Sequence, residues 1–270
     1  MIHAHYALQT CDISVRDNSQ PRYASDSKAD ILKKCITSFL VSAQTLEDAV
    51  PNVTQHIAIF DDHSTSETLE FLTGASQYFA SDRIEIEVIS LPTKGLFESV
   101  RACFNWLEQN GKDIVYQVQD DYLFEPNALY EMIGVFMKVY NDTKAHSIVT
   151  PYNHPHYHQT TYAYQSIPRI IVPGSNRYWV QHYEIPCTFL TSKVEFSKHW
   201  DLYENFFNGD LFDSNLEINS FNKIITERNV LGIQPLTSVA LHMQTDFDKD
   251  PYIDWKSQWD SVPDITSISN

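Results

Sequence analysis

Two acidic pairs carry the strongest chemical signal in this sequence. Asp61-Asp62-His63-Ser64-Thr65 and Gln119-Asp120-Asp121 each follow a short apolar run that reads as a β-strand. Adjacent carboxylates repel one another, and a fold tolerates them best beside a cation. A hard divalent ion takes one or two carboxylates and fills its remaining positions with water or phosphate oxygens. A carboxylate at a strand end can also accept a hydrogen bond from a nucleobase N–H or a ribose hydroxyl. Plainer roles compete. Asp120, Asp121 and Glu125 suit the positive end of a following helix. Ser64 and Glu67 have capping-box spacing, which accounts for one acid at 61–62 but not for two.

The elements that must position these residues follow from periodicity. Residues 2–8 read as a strand, and 9–25 as a polar loop. From Ser27, the apolar positions Leu32, Cys35, Ile36, Phe39, Leu40 and Ala43 recur at helical spacing. Residues 56–60 form a second strand and 84–91 a third. Leu96, Val100, Cys103, Phe104 and Leu107 then give a helical stripe that Asn110-Gly111 ends. Residues 113–118 form a fourth strand, and a helix begins near Pro126 with Leu129, Met132, Ile133, Phe136 and Met137 on its buried face. Strand and helix in alternation predict an α/β fold with parallel strands. Such sheets bind ligands at the carboxyl ends of their strands, where both acidic pairs fall. In the second half, short strands are expected at 169–172, 178–181 and 186–190. Ser192 with Glu195 makes a capping box that opens a helix toward Trp200. A helix over 214–228 and a strand-like stretch over 231–243 follow, and the tail from Gln244 lacks periodicity. No repeat or low-complexity linker divides the chain, so one domain over 1–270 is expected.

Together the two clusters resemble the family 2 glycosyltransferases of the GT-A fold. Ile57-Ala58-Ile59-Phe60-Asp61-Asp62-His63-Ser64 looks like that family's D-D-x-S element at its second strand. Gln119-Asp120-Asp121, followed by Tyr122-Leu123-Phe124-Glu125-Pro126, resembles its later x-D-D element. Thr93-Lys94-Gly95 through Arg101 matches the basic segment between them. Order and spacing agree over about residues 1–140; beyond that Pro186-Cys187-Thr188-Phe189-Leu190 is similar to the strand that floors the acceptor site. Gln119 departs from the pattern, standing where many relatives have an acid.

The resemblance implies a Rossmann-like, mixed but mainly parallel sheet flanked by helices, with a nucleotide-sugar half (1–140) and an acceptor half with tail (141–270). It implies transfer of a sugar from a nucleoside diphosphate donor, a UDP-sugar first, to a hydroxyl on a glycan or glycoconjugate. Inversion is expected, with a retaining outcome open. Thr10, Asp61, Asp62, Lys94, Gly95, Arg101 and Asp120 would bind the nucleotide sugar, Asp62 at the base and Asp120 at the ribose or beside the metal. Asp121 and the late His242 would hold Mn2+ or Mg2+, imidazole favouring manganese; Asp246 and Asp248 are weaker alternatives to His242. The general base falls in 208–217. Asp213 best fits a helix start there, where it is also an ordinary N-cap, with Asp210 and Glu217 as alternatives. His154, His156 and His158 alternate, but Pro155 breaks a strand that would present them to a metal. They are read instead as an acceptor loop with Tyr152, Tyr157, Tyr162 and Tyr164, since sugars bind flat aromatic faces; Trp179 and His182 are placed with them.

Composition sets bounds on these readings. The 270 residues are 43% hydrophobic and 20% charged, enough for a sizeable core. The net charge of -16, from 35 acidic and 19 basic residues, disfavours a nucleic-acid partner. It also means that a pyrophosphate needs a local cation. With seven glycines and neither G-x-G-x-x-G nor a Walker motif, most dinucleotide and P-loop sites are excluded. Cys11, Cys35, Cys103 and Cys187 form no C-x-x-C pair, and three sit in apolar patterns as buried hydrophobes. No leader or spanning segment is expected, and cytoplasmic residence, peripheral to a membrane-bound acceptor at most, is the default. Two other functions compete: a non-catalytic nucleotide- or sugar-binding relative, favoured by Gln119, and a phosphotransfer enzyme with an Asp61 or Asp62 nucleophile. The second would need an acid where His63 stands.

Overall fold

The computed structural model describes residues 1–13, 27–159, 164, 166–210, 213, 215–243 and 249–265. In chain order the strands are β1 (Ile2–Thr10), β2 (Val53–Asp61), β3 (Ile84–Ser90), β4 (Ile114–Gln119), β5 (Tyr122–Phe124), β6 (Ser147–Val149), β7 (Ile171–Pro173), β8 (Tyr178–His182), β9 (Phe189–Ser192), β10 (Leu231–Pro235) and β11 (Ala240–His242). The helices are α1 (Lys28–Ala49), α2 (Ser66–Phe79), α3 (Leu96–Asn110), α4 (Ala128–Thr143), α5 (Lys193–Lys198), α6 (Trp200–Phe207), α7 (Asn222–Thr226) and α8 (Trp255–Ser261).

Nine strands form one sheet in the order β3-β2-β1-β4-β9-β6-β10-β8-β7, and β11 pairs with β5 in a separate ribbon. Within the large sheet only β9 and β8 run against the rest. The expected mixed, mainly parallel sheet flanked by helices is therefore what the chain forms. Side chains alternate along each strand, and the alternation sorts the core into two layers. Tyr6 and Leu8 of β1, Ile57 and Ile59 of β2, and Tyr116 and Val118 of β4 face α1, α2 and α4. Ala7, Ala58, Phe60 and Val115 face α3 and the α5–α7 region, where Phe104 is surrounded by Phe189, Phe196, Tyr203 and Phe221. Burial against helices on both faces explains why β1, β2 and β4 carry near-continuous apolar runs.

The chain moves from β1 outward to β2 and β3, then returns across β1 to β4. The connection reverses direction between β1 and β4, which opens a crevice at their carboxyl ends, the ligand position in open α/β sheets.

Several local expectations need correction. The capping residue of α2 is Thr65, whose hydroxyl accepts the Thr68 N–H, and not Ser64. Ser64 is drawn away because its hydroxyl accepts the Asp12 N–H at 3.1 Å. The capping box at Ser192 is present, but the helix it opens breaks at His199 into α5 and α6. Where a helix is expected over 214–228, the described residues 215–221 are turns that lead into the five-residue α7. The stretch 231–243 splits at Leu236–Val239 into strands of two different sheets. The tail contains α8, with Asp254 as its cap. Cys35, Cys103 and Cys187 are buried as expected, and burial pushes their thiols up in pKa. Among the described residues no helix is long and apolar enough to cross a membrane.

Candidate functional site at the β1–β4 crevice

The carboxyl ends of β2, β1 and β4 lie side by side. Thr10 is in register with Asp61, and Gln9 with Gln119, so the two acidic pairs meet across the end of β1. Backbone bonds tighten the junction. The Asp62 N–H donates to the Thr10 carbonyl at 2.8 Å, and the Cys11 N–H donates to Asp120 Oδ2 at 2.8 Å. Cys11 stands within electrostatic reach of both Asp62 and Asp120, and burial together with these carboxylates pushes its thiol up.

Asp62 is placed from two sides. Its Oδ2 accepts the Gly95 N–H at 3.0 Å, and its Oδ1 contacts His63 Nδ1 at 3.0 Å. Gly95, the N-cap of α3, has φ 139°, a conformation that a side chain strains. His63 is in the left-handed region at φ 60°, uncommon for a residue that is not glycine. Asp61 points inward: it is buried, with Oδ2 accepting the Ser64 N–H at 3.2 Å. Thr10 is also buried, its hydroxyl donating to the Phe60 carbonyl at 3.1 Å. Both hold the junction together and offer little surface to a ligand. Lys94 is exposed at the mouth of the α3 turn. Arg101 packs its guanidinium 5.0 Å from the Phe207 ring centre, on the α6 side of the sheet.

Asp120 and Asp121 part company. Asp120 is buried, with Oδ1 taken by the Lys28 ammonium and Oδ2 by the Cys11 amide. Burial raises its pKa, against which the adjacent Lys28 charge works. Each of its oxygens thus already has a partner, one of them a cation. Asp121 turns the other way. Its carbonyl accepts the Met243 N–H at 2.8 Å, and its Oδ2 stands 3.3 Å from His242 Nε2. Both side chains are partly open, at 15% and 20% exposure.

Two donors each about 2.1 Å from one ion, at right angles, stand about 3 Å apart, so one carboxylate oxygen and one imidazole nitrogen at this separation fit a divalent cation. Among the described residues no group of three or more His, Cys, Asp or Glu side chains converges to hold a metal by protein ligands alone. The pair would supply two ligands and leave the rest to water and phosphate. Asp246 and Asp248, the alternatives to His242, lie outside the described residues, as does Tyr162.

An aromatic series leads away from this pair. The His242 ring stacks on Tyr122 with centroids 4.8 Å apart, and Tyr152 meets both edge-on. Tyr152 continues to His154 at 5.5 Å, and His154 to Tyr157 at 5.8 Å. His154 caps a short 3-10 turn over Pro155–His158 by accepting the His156 N–H, so Pro155 starts a turn rather than interrupting a strand. Tyr164 stacks on Tyr183. Tyr122, Tyr152 and Tyr157 of this series are themselves buried, and Trp179 and His182 do not join it. Trp179 is 0% and His182 1% exposed, because the β8 positions that hold them face the core. His182 instead contacts Thr150 Oγ1 at 3.3 Å, and burial, with the Arg169 charge, lowers its pKa to about 3.

Of the three carboxylates in 208–217, Glu217 lies near the pair. The Cys187 thiol donates to its Oε1 at 3.6 Å, and Glu217 is within electrostatic reach of His242 and Tyr122. The residue is exposed, but its carboxyl is turned onto a buried thiol, and that burial raises its pKa. Asp213 is exposed, Oδ1 accepting the Asn215 N–H at 2.9 Å, and the described residues after it, 215–221, are turns. Asp210 is exposed too.

Sequence reasoning passed over Lys28 and Asp12. Asp12 accepts bonds from the Thr65 N–H and from the Thr65 and Thr68 hydroxyls, and so ties the loop after β1 to the start of α2. Lys28 left one trace: a basic residue at the first position of a helix opposes the helix dipole and calls for an acidic partner.

No family model matches the sequence, and no curated protein matches it. Several solved structures align with it. A mannosyltransferase from Pyrobaculum calidifontis in complex with GDP-Man and Mn2+ aligns at 11% identity and TM-score 0.49, over 94% of this chain and 60% of that one. A UDP-glucose pyrophosphorylase from Acinetobacter baumannii aligns at 10% identity and TM-score 0.47, over 96% and 91%. A UDP-glucose pyrophosphorylase complexed with UDP-glucose aligns at 10% identity and TM-score 0.47, over 91% and 94%. These names belong to enzymes of nucleotide sugars; at such identities and TM-scores the likeness assigns no role to any residue here.

Proposed function

We propose that this chain is a glycosyltransferase that moves a sugar from a nucleoside diphosphate sugar, a UDP-sugar first, to a hydroxyl of a glycan or glycoconjugate with inversion. The observation that carries the reading is the meeting of Asp62, Asp120 and the Asp121–His242 pair at one crevice between β1 and β4.

Asp62, fixed by Gly95 and His63, faces the nucleoside with lone pairs still free to accept from a base N–H. Lys94 and the turn at Gly95 border the same side. Asp121 and His242 would hold a divalent cation, Mn2+ or Mg2+, which when bound neutralises charge on the diphosphate. Glu217 is the base. It takes the acceptor hydroxyl proton as that oxygen bonds to the anomeric carbon, while the bond from that carbon to the phosphate oxygen breaks and its electron pair leaves with the nucleoside diphosphate. A single displacement inverts the centre. A carboxyl raised in pKa by burial suits this role, because a general base works best with a pKa near the working pH. Tyr152, His154 and Tyr157 extend from the pair on the acceptor side.

The test is donor hydrolysis and transfer with UDP- and GDP-sugars in Mn2+. Release of nucleoside diphosphate by the wild type, lost in Asp121→Asn, supports the reading. Phosphate release from small phosphoesters instead, or pyrophosphate release from a nucleoside triphosphate and a sugar 1-phosphate, replaces it with another reaction. Nucleotide binding with no turnover on any acceptor makes the chain a binding relative.

A further inference from the structure

Lys28 is the first residue of α1, next to the N-cap Ser27, a place where the helix dipole favours acidic residues. Asp120 overrides that preference by drawing in the ammonium through Oδ1. Because Oδ2 of Asp120 is held by the Cys11 N–H, the carboxylate cannot swing, and Lys28 is fixed at the crevice itself. Its charge is also within electrostatic reach of Asp121. An ammonium has three N–H donors; among the described residues one is placed, on Asp120. The side chain is 16% exposed, so the remaining donors are within reach of a bound ligand. The acidic ends of β2 and β4 would repel a diphosphate, and the Asp121–His242 pair brings a single carboxylate to any metal. A second, fixed cation answers both conditions.

We propose that Lys28 binds the diphosphate of the donor, donating a charge-assisted hydrogen bond to a phosphate oxygen while Asp120 holds the ammonium in place. This rests on the reading of the crevice as a nucleotide-sugar site, and adds a phosphate contact that does not depend on metal.

The full-length chain is titrated with uridine and UDP, and with guanosine and GDP in parallel, in Mn2+ and again in EDTA, with binding followed by NMR. The wild type should prefer the diphosphate to the nucleoside even in EDTA. Lys28→Met should weaken diphosphate binding by about 10–100-fold in both conditions, the size of one hydrogen bond to a charged group, and leave nucleoside binding unchanged. Since Lys28→Met strands the Asp120 charge, the double variant Lys28→Met/Asp120→Asn keeps the test sound and should show the same loss. A wild type that binds no nucleoside and no diphosphate overturns the nucleotide-sugar reading itself. A wild type that prefers the diphosphate, with both variants binding it equally well, overturns the role of Lys28 alone.

Discussion

His242 Nε2 stands 3.3 Å from Asp121 Oδ2, and a two-stranded ribbon brings them together. β11 pairs antiparallel with β5 so that His242 lies opposite Tyr122, the residue after Asp121. The histidine ring stacks on the tyrosine ring, which sets its plane, and the Met243 amide binds the Asp121 carbonyl, which sets the height of the aspartate. The last strand among the described residues thus brings a histidine to the acidic pair that follows β4.

Asp121→Asn and His242→Ala should each weaken Mn2+ binding by at least about 10-fold, the lower range seen even for residues that only support a metal ligand. Electron paramagnetic resonance titration of Mn2+ measures this directly. Unchanged affinity in both variants would move the metal elsewhere.

Glu217→Gln should lower kcat for transfer by about 10²–10⁴-fold, the range for loss of a general base, with donor affinity unchanged. Asp213→Asn should leave kcat as it is, because the Asp213 side chain is exposed and accepts the Asn215 N–H. The reverse pattern would return the base to Asp213.

Gly95→Ala tests backbone strain apart from crowding. A Cβ at Gly95 would meet nothing within 4 Å, so the whole penalty comes from φ 139°. Urea unfolding should show a loss of about 1–3 kcal/mol, and UDP affinity should fall as the amide that holds Asp62 shifts. A variant as stable as the wild type would contradict the strained turn.

Acid should destabilise the fold through two buried histidines. Burial, with Arg169 for His182 and with His56 and Lys112 for His5, lowers their pKa values to about 3 and about 4. The unfolded chain, with histidines near 6.5, binds more protons than the folded one below that pH. Their contribution is therefore fully present above 6.5 and is lost as pH falls toward 3–4, on the order of 4 kcal/mol for His182 alone. Urea midpoints at pH 7, 5.5 and 4 read this slope, which should flatten in His182→Gln; an equally steep slope there would reject the assignment.

Much of the first half was legible because its signals are local. β1, β2 and β4 show themselves as apolar runs since both faces are covered, and the stripes of α1 and α3 show because one face is. Ser192 caps a helix as its spacing implied. The second half was less legible. Nothing near residue 236 announces that the chain leaves one sheet for another, because that choice depends on which edges are free. Trp179 and His182 look like binding residues on composition, and only the pairing of β8 turns them into the core. Thr65 displaced Ser64 as a cap because Asp12, distant in sequence, claimed the space.

The amino-acid order alone determined that two pairs of aspartates would stand at the ends of two strands of an α/β sheet, since period and strand-end position are properties of neighbouring residues. It could not divide the labour within each pair. Whether Asp120 or Asp121 faces a ligand depends on where Lys28 and His242 arrive, and those arrivals are set by the burial of α1 against the sheet and the pairing of β11 with β5. Burial energy is summed over the whole fold, so the partner of a given carboxylate was settled only when distant segments packed together.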